Sequence, residues 1–364
     1  MSSTIIPFTD PKAQKKWAST LAVDTMHKGY FQKKFIGKGD NNIIEQKTDL
    51  EADAGYEITF DLSVQLRGRP TTGDDRLEGN EESLRFYSDQ VKIDQTRRSV
   101  SAGGRMTRKV TAHDLRVIAK NRLSDYWAAY MDQLMFIYLS GARGINEDFF
   151  EPEDYAGHAG NPIQAPDSEH ILYGGDAVSP ATISSADKMS RDLIERAVTR
   201  ARMMRARNPK TANMMPVSVE GEQHYVCVIG AYQEHDLRTS TGETGWLEMQ
   251  KAAAGAEGRK SPIFKGGLGM INNVVMHSHE SVIRFNNYGA GGDLPASRSL
   301  FMGRQAGVLA YGVKSGSRFM WKETMKDFDN EPIVASGTIL GFKKTRFNGN
   351  DFGVMAIDTY AEQP

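Results

Sequence analysis

Residues 56 to 66 read YEITFDLSVQL, and Tyr56, Ile58, Phe60, Leu62, Val64 and Leu66 alternate with polar residues without a break. A period of two puts every apolar side chain on one face of an extended chain, which predicts a strand. At about 3.4 Å per residue the run reaches roughly 35 Å, longer than most strands. The polar, turn-rich RGRPTTGDDRLEGNEESLRFYSDQVKIDQ follows, with Pro70, Gly73, Gly79 and Asn80, and a second strand is expected over 84–93. The pattern predicts a long two-stranded arm with a charged tip. An isolated hairpin of this kind is marginal in water, so it needs a partner surface, in its own chain or in another.

The stretch 111–144, TAHDLRVIAKNRLSDYWAAYMDQLMFIYLSGARG, predicts the main helix. Thr111 and Asp114 resemble a capping box, and Leu115, Ile118, Leu123, Trp127, Met131, Leu134 and Tyr138 keep helical spacing. Gly141 is placed to stop it. From 114 to 140 at 1.5 Å per residue the helix is about 40 Å long, the length of a spine. Residues 145–180 hold eight acidic residues and neither lysine nor arginine, broken by Gly and Pro, and read as a surface excursion. A second helix is expected from Ser184 or Ser185 to Asn208, capped in front of Asp187 and stopped by Pro209. Its last turns carry Arg196, Arg200, Arg202, Arg205 and Arg207. They form either a solvated cationic face or a contact to an acidic neighbour or to packaged nucleic acid.

Elsewhere the texture is strand and turn. HYVCVIG at 224–230 is a compact core strand that holds Cys227 as a packing residue. TGWLEMQKAAA suggests a short helix. IVASGTILGFKKTRF and DFGVMAIDTYA flank Asn348-Gly349, a strong hairpin signal. Residues 1–50, with eight lysines and five acids, offer a thin apolar stripe over 10–31 and read as an arm that docks on something.

Bulk properties narrow the class. The chain has 364 residues, 45 basic and 46 acidic, so no net field points to nucleic acid or membrane. One cysteine allows no internal disulfide. The opening MSSTIIPFTDPKAQKKW has no secretory-type apolar region, and no apolar run approaches the length of a membrane span, so a soluble cytoplasmic product is expected.

SPIFKGGLGMINNVVMHSHE, 261–280, is where catalytic chemistry would sit. KGGLGM places its lysine before the glycines, so it is not a phosphate-binding loop, and it also fails the dinucleotide fingerprint. HESVI puts Ile283 where a zinc protease needs its second histidine. His277 and His279 share one face of a strand but lack a third ligand at usable spacing. No nucleophile elbow occurs. Catalytic, cofactor and metal residues are therefore expected to be absent, and substitution of both histidines by alanine is expected to leave assembly nearly unchanged. The stretch reads as a joint in which Gly266, Gly267 and Gly269 turn the chain with positive φ before INNVVMH starts a strand.

Taken in order, KTDLEADAGYEITFDL, LEGNEESLRFYSDQVKIDQ, HDLRVIAKNRLSDYWAAYMDQLMFIYLSG and SPIFKGGLGMINNVVMHSHE resemble the major capsid proteins of tailed bacteriophages. The likeness is to the podovirus-type class typified by coliphage N-four. The resemblance implies the α+β Hong Kong 97-type (HK97-like) major capsid fold. It implies an N-terminal arm at 1–50, an extended loop at 51–110, a peripheral domain with the spine helix at 111–210 and 320–364, and an axial domain at 211–319. It also implies a coat protein that self-assembles, as pentamers and hexamers, into an icosahedral head shell around double-stranded DNA bound without sequence specificity. The expected location is the virion, after assembly in host cytoplasm. Further partners implied are a scaffolding protein in trans, a portal and a cement or decoration protein. The rival readings are an encapsulin-like nanocompartment shell, a decoration protein, and a metal-dependent enzyme built on His277 and His279.

Charge suggests where subunits meet. The loop tip DDRLEGNEE, 74–82, carries five acids, among them Asp74, Asp75, Glu81 and Glu82. The stretch 97–109 carries five basic residues, among them Arg97, Arg98 and Arg105. The tip of one subunit is expected over a basic surface of a neighbour, either this stretch or the face with Arg196, Arg200 and Arg207. The alternative is a solvated tip.

Overall fold

The structure, a computed structural model, describes residues 21–364 except 22–23, 26–27, 52–54, 64–68, 80, 82, 85, 111–114, 209–210, 220, 240–262, 264–266 and 315–317. The spine helix spans Leu115–Ser140, about 39 Å at 1.5 Å per residue. Every residue from Tyr130 to Ser140 is buried. The expected apolar stripe therefore widens into all-round burial in the second half. In the first turns Val117 and Ile118 are instead exposed. Gly141 ends the helix at φ +70, where a Cβ would sit 2.1 Å from the Gln164 carbonyl oxygen.

An eight-stranded sheet explains why HYVCVIG is apolar throughout. Its strands run Ile171–Tyr173, Val354–Tyr360, Leu294–Met302, Glu222–Ile229, Val274–Ser278 and Gly269–Ile271, with Ile283–Tyr288 and Val217–Val219 attached. Val226, Val228, Val275, Leu300 and Met302 face the core shared with the spine helix. Cys227, Ile229, Met276 and Phe301 face Leu193, Ile194, Ala197 and Val198 of the helix Arg191–Arg207 on the other side. A sheet covered on both faces needs apolar residues at both phases of the alternation. Burial pushes the Cys227 thiol up to about 12, which makes it an inert packing group.

A six-stranded sheet is organised by the long strand Glu331–Lys344. Leu340 pairs with both Tyr311 and Asp94, and Gly337 with both Met320 and Arg97. Gly307–Tyr311 and Met320–Lys326 thus follow each other along one edge, and Asp94–Ser101 takes the other. Ile44–Lys47 pairs in parallel with Gly307–Tyr311. The N-terminal segment therefore docks on its own chain. A helix at Tyr30–Lys34 is held by Asp132 of the spine, whose carboxylate accepts the Tyr30 and Phe31 amides at 2.7 and 3.0 Å. The expected helix over 10–31 lies mostly outside the described residues.

The arm is present as Glu57–Ser63 paired with Phe86–Lys92, from Glu57 opposite Lys92 to Ser63 opposite Phe86. Its buried face, Ile58 and Val91, packs on Val308 and Ala310 of the six-stranded sheet. An ion pair joins Asp89 to Lys343. The chain then runs straight into Asp94–Ser101.

Three local expectations need correction. The second helix starts at Arg191 behind Ser190, whose hydroxyl accepts the Leu193 amide. Ser184 cannot cap it, because its amide and hydroxyl both bond Asp187 in a separate turn. Asn348 and Gly349 do form a two-residue turn, both at positive φ. It closes only Arg346–Phe347 on Asn350–Asp351, and the long flanking strands belong to different sheets. At the supposed glycine joint the left-handed residues are Asn272 and Asn273, between Gly269–Ile271 and Val274–Ser278. Gly269 is a strand residue, and Gly266 lies outside the described residues, as do the Thr111–Asp114 cap and the TGWLEMQKAAA stretch.

Helix and sheet are joined by one buried arginine. Arg298 donates through Nε and Nη2 to Asp358 at 2.7 Å each and through Nη1 to the Ser140 carbonyl at 3.0 Å. Tyr288 donates its hydroxyl to Asp358 at 2.8 Å. Burial works against the guanidinium charge, but Asp358 outweighs it and raises the Arg298 pKa. Arg298→Met is predicted to cost the unassembled subunit about 3–5 kcal/mol by leaving a buried carboxylate unpaired, whereas Arg298→Met with Asp358→Leu should cost much less. Urea unfolding of the three chains tests this. A single-variant loss within about 1 kcal/mol of wild type would refute it.

Candidate assembly surfaces

Of the two histidines that a metal would need, His277 is a core group and His279 is half-buried beside it. His277, on Val274–Ser278, is fully buried, with Nε2 2.8 Å from the Ile263 carbonyl and Nδ1 3.5 Å from Lys34 Nζ. The carbonyl fixes the proton on Nε2, since that oxygen can only accept. His279 Nδ1 accepts the Ser281 amide at 3.1 Å, and its ring packs 4.5 Å from Tyr30 and 5.0 Å from Phe136. Burial, then the nearby Lys34 charge, pushes both imidazoles down to about 4. Among the described residues no three His, Cys, Asp or Glu side chains converge for a metal. The double alanine change, expected to leave assembly nearly unchanged, does remove a buried group from the subunit. Removing His277 empties a packed site and orphans the Ile263 carbonyl, at a cost of roughly 2–5 kcal/mol.

The charged candidates fall into three groups. Asp74, Asp75 and Glu81 are exposed, as is every described residue from 72 to 84. Glu81 accepts the Gly79 amide at 2.8 Å, and Glu82 lies outside the described residues. Arg97 and Arg98 are exposed on Asp94–Ser101, and Arg98 lies over the Tyr126 ring at 5.1 Å. Arg105 begins the short helix Arg105–Val110, its amide bonded to Asn330 Oδ1 at 3.0 Å.

The arginine helix already has acceptors in its own chain. Arg196 donates to the Gly175 carbonyl at 2.6 Å, and Arg200 to the Glu169 and Ser168 carbonyls at 2.9 and 2.6 Å. Arg200 and Arg207 also reach the Glu169 carboxylate, at 3.7 and 3.4 Å. The arginine-free acidic stretch 145–180 thus serves this face, a link that an excess of carboxylates facing a run of arginines could have suggested. Arg298 and Asp358 carried no such signal, since each sits in a strand pattern that looks ordinary.

A spine helix between two sheets, with a long loop hairpin leaving one of them, defines a shell subunit of the Hong Kong 97 type, the fold of the solved capsids it resembles. The chain belongs to the phage capsid protein family, whose model matches residues 5–363. It is similar to the chain in the capsid of Ralstonia phage GP4, at 62% identity and TM-score 0.89, covering 100% of this chain and 99% of that one. The capsid of cyanophage Pam1 matches at 21% identity and TM-score 0.69, over 92% and 94% of the two chains. The major capsid protein of Pseudomonas phage KPP25 is 25% identical over 357 residues, 89% of each chain. This chain is a phage major capsid protein, a structural component of the virion shell and not an enzyme. That sets aside the nanocompartment, decoration-protein and metalloenzyme readings.

The neighbourhood of Tyr30 titrates in two opposed senses. His277 folds neutral, so the unfolded chain takes up protons first as pH falls from about 6.5 to 4. Stability is lost over that window, by on the order of 3 kcal/mol at 1.36 kcal/mol per pH unit. Burial raises Asp132 to about 6 despite its two amide partners, so the folded chain takes up that proton first and stability is gained as pH falls from about 6 to 4. His277→Gln should flatten the acid loss in unfolding midpoints between pH 4 and 7, and Asp132→Asn should steepen it. The same slope in all three chains would contradict the assignment.

Proposed function

We propose that copies of this chain form the pentamers and hexamers of an icosahedral head that encloses double-stranded DNA, in the podovirus-type class typified by coliphage N-four. The observation that carries the reading is the divided loop hairpin. Its base packs on the six-stranded sheet of its own chain, while the described residues 72–84 at its tip are all exposed. One subunit covers the base of the arm through Ile58 and Val91 and leaves the tip for a neighbour. Obligate interfaces of this kind bury thousands of Å², so many weak contacts sum to a closed shell.

In this reading residues 1–50 are the N-terminal arm, 51–110 the extended loop, 111–210 and 320–364 the peripheral domain, and 211–319 the axial domain. The eight-stranded sheet, which holds Ile171–Tyr173 and Val354–Tyr360 together with strands between 217 and 302, is the seam between the last two. With 45 basic and 46 acidic residues the chain holds DNA by enclosure rather than by sequence-specific contact. A scaffolding protein acts in trans, a portal fills one vertex, a cement or decoration protein is a further partner, and assembly takes place in host cytoplasm. The loop-tip acids Asp74, Asp75, Glu81 and Glu82 meet a basic surface of the next subunit, drawn from Arg97, Arg98 and Arg105 or from Arg196, Arg200 and Arg207.

The purified protein, alone or with its scaffold, is predicted to form closed shells or capsomer-sized oligomers under negative-stain microscopy. A clean monomer at high concentration with scaffold present would overturn the proposal.

A further inference from the structure

The loop hairpin leaves the body at Lys92, and the groups that hold it there come from separate parts of the chain. Ile93 gives its amide to the Tyr56 carbonyl at 2.9 Å across the hairpin. By the alternation of an antiparallel ladder, Lys92 turns its own amide and carbonyl to the outer edge of Phe86–Lys92. Among the described residues no third strand pairs with that edge. Asn161, buried in the acidic stretch 145–180, stands in for one. Its Oδ1 accepts the Lys92 amide at 2.9 Å, and its Nδ2 donates to the Lys92 carbonyl at 2.8 Å. One side-chain amide thus supplies both bonds that a neighbouring strand would supply.

Asn161 is itself held by the spine. The buried Tyr138 donates its hydroxyl to the Asn161 carbonyl at 2.7 Å and accepts the His158 amide at 2.6 Å. His158 Nε2 lies 3.0 Å from the Leu340 carbonyl, which ties the same turn to the six-stranded sheet. On that sheet Gly341 leaves room for the hairpin, since a Cβ there would sit 1.9 Å from the Lys92 carbonyl oxygen. A second brace lies further along the arm. Asp89 pairs with Lys343 and accepts the Arg346 amide at 3.2 Å, and the Phe347 ring packs 6.0 Å from Phe60.

We infer that Asn161 is a positioning residue for assembly, which through Lys92 sets the direction of the loop hairpin before any neighbour is met. The packing of Ile58 and Val91 on Val308 and Ala310 is apolar and non-directional, so it holds the base without fixing its angle. Two hydrogen bonds to the backbone of one residue are directional and do fix it. A hairpin preset in this way meets the next subunit at a lower ordering cost than one that swings. The inference rests on the reading of the chain as a shell subunit, but it concerns the free subunit, so the two fail separately.

The chain carries its own control. Asn146, also buried, makes a bridge of the same kind on the eight-stranded sheet, accepting the Arg284 amide at 2.9 Å and donating to the Val282 carbonyl at 3.0 Å. Cys227 is buried and inert, so spin labels on Ser88→Cys and Val178→Cys, both exposed positions, report the angle of the arm in the unassembled subunit. Pulsed electron resonance is expected to give one narrow distance distribution. Asn161→Ala should broaden it about two-fold, whereas Asn146→Ala should lower the urea midpoint by a similar amount and leave the distribution unchanged. Asn161→Asp, which keeps the shape but sets a carboxylate oxygen against the Lys92 carbonyl, should broaden it as well. Under negative stain, closed shells should be several-fold fewer from Asn161→Ala than from Asn146→Ala. An unchanged distribution in both Asn161 variants, equal broadening in Asn146→Ala, or a normal yield of closed shells from a chain whose arm swings overturns the inference. Failure of the wild-type chain to form particles would instead refute the shell reading, and the distance comparison would still decide whether Asn161 sets the arm.

Discussion

The buried contact between Arg298 and the end of the spine helix sets the geometry of the whole subunit. A helix leaves its last four carbonyls without internal partners, and water normally satisfies them. Here Ser140 is buried, so its carbonyl needs a donor from the protein, and the Arg298 guanidinium supplies it at 3.0 Å. A cation is also the favoured charge at a helix C-terminus. A buried guanidinium in turn needs a counter-charge, which Asp358 provides through two bonds on the adjacent strand. One unsatisfied carbonyl thus couples the helix to two neighbouring strands of the eight-stranded sheet. That coupling ties the C-terminal end of the spine to the sheet.

Polar groups elsewhere divide into those the chain satisfies alone and those it leaves outward. The arginine helix belongs to the first kind, since carbonyls and the Glu169 carboxylate of the loop before it meet its cations. Asp132 belongs there too, as it caps the Tyr30–Lys34 helix and holds the N-terminal segment over His277 and His279. The loop tip belongs to the second kind, and so does the corner at Arg105–Val110. A monomeric protein rarely combines a strained, uncovered phenylalanine, here Phe328 at φ 48, with two uncovered leucines, Leu77 and Leu84, on a projecting arm. In the proposed shell both surfaces would have a use.

Much of this was legible in the sequence where the information is local. Alternation over 56–66 gave the arm's first strand, described over Glu57–Ser63 with 64–66 outside the described residues, and the spaced apolar residues with Gly141 gave the spine and its end. HYVCVIG gave a core strand because its apolar run matches a sheet covered on both faces. What was not legible depends on partners far along the chain. Ser184 looks like a helix cap until Asp187 is seen to engage it. Asn348-Gly349 signals a hairpin, and a small one exists, but the sheet chosen by each flanking strand is decided by pairing with residues 94–101 and 294–302. The histidine pair was read without its cover. Tyr30 and Lys34 lie more than 240 positions away in sequence, and nothing local to His277 announces them. The same limit applied to the acidic loop, whose charge was evident while its partner, the arginine helix, was not.

Why a shell contact should mix leucines with carboxylates follows from the magnitudes. A single exposed ion pair is worth roughly 0–1 kcal/mol and is weakened by salt, so the tip charges alone would hold a neighbour poorly. Burying a leucine side chain fully is worth about 1.5–3 kcal/mol, but it is non-directional and rewards many registers almost equally. In the proposed contact the leucines would supply adhesion. The carboxylates would select the register, because a slipped tip would bring them against carboxylates or strand them away from the basic surface of the next subunit. A chain with nearly equal numbers of acids and bases can do this only if the two signs are segregated, acid on the projecting tip and base at the corner. That segregation is present between residues 74–82 and 97–109 of this sequence.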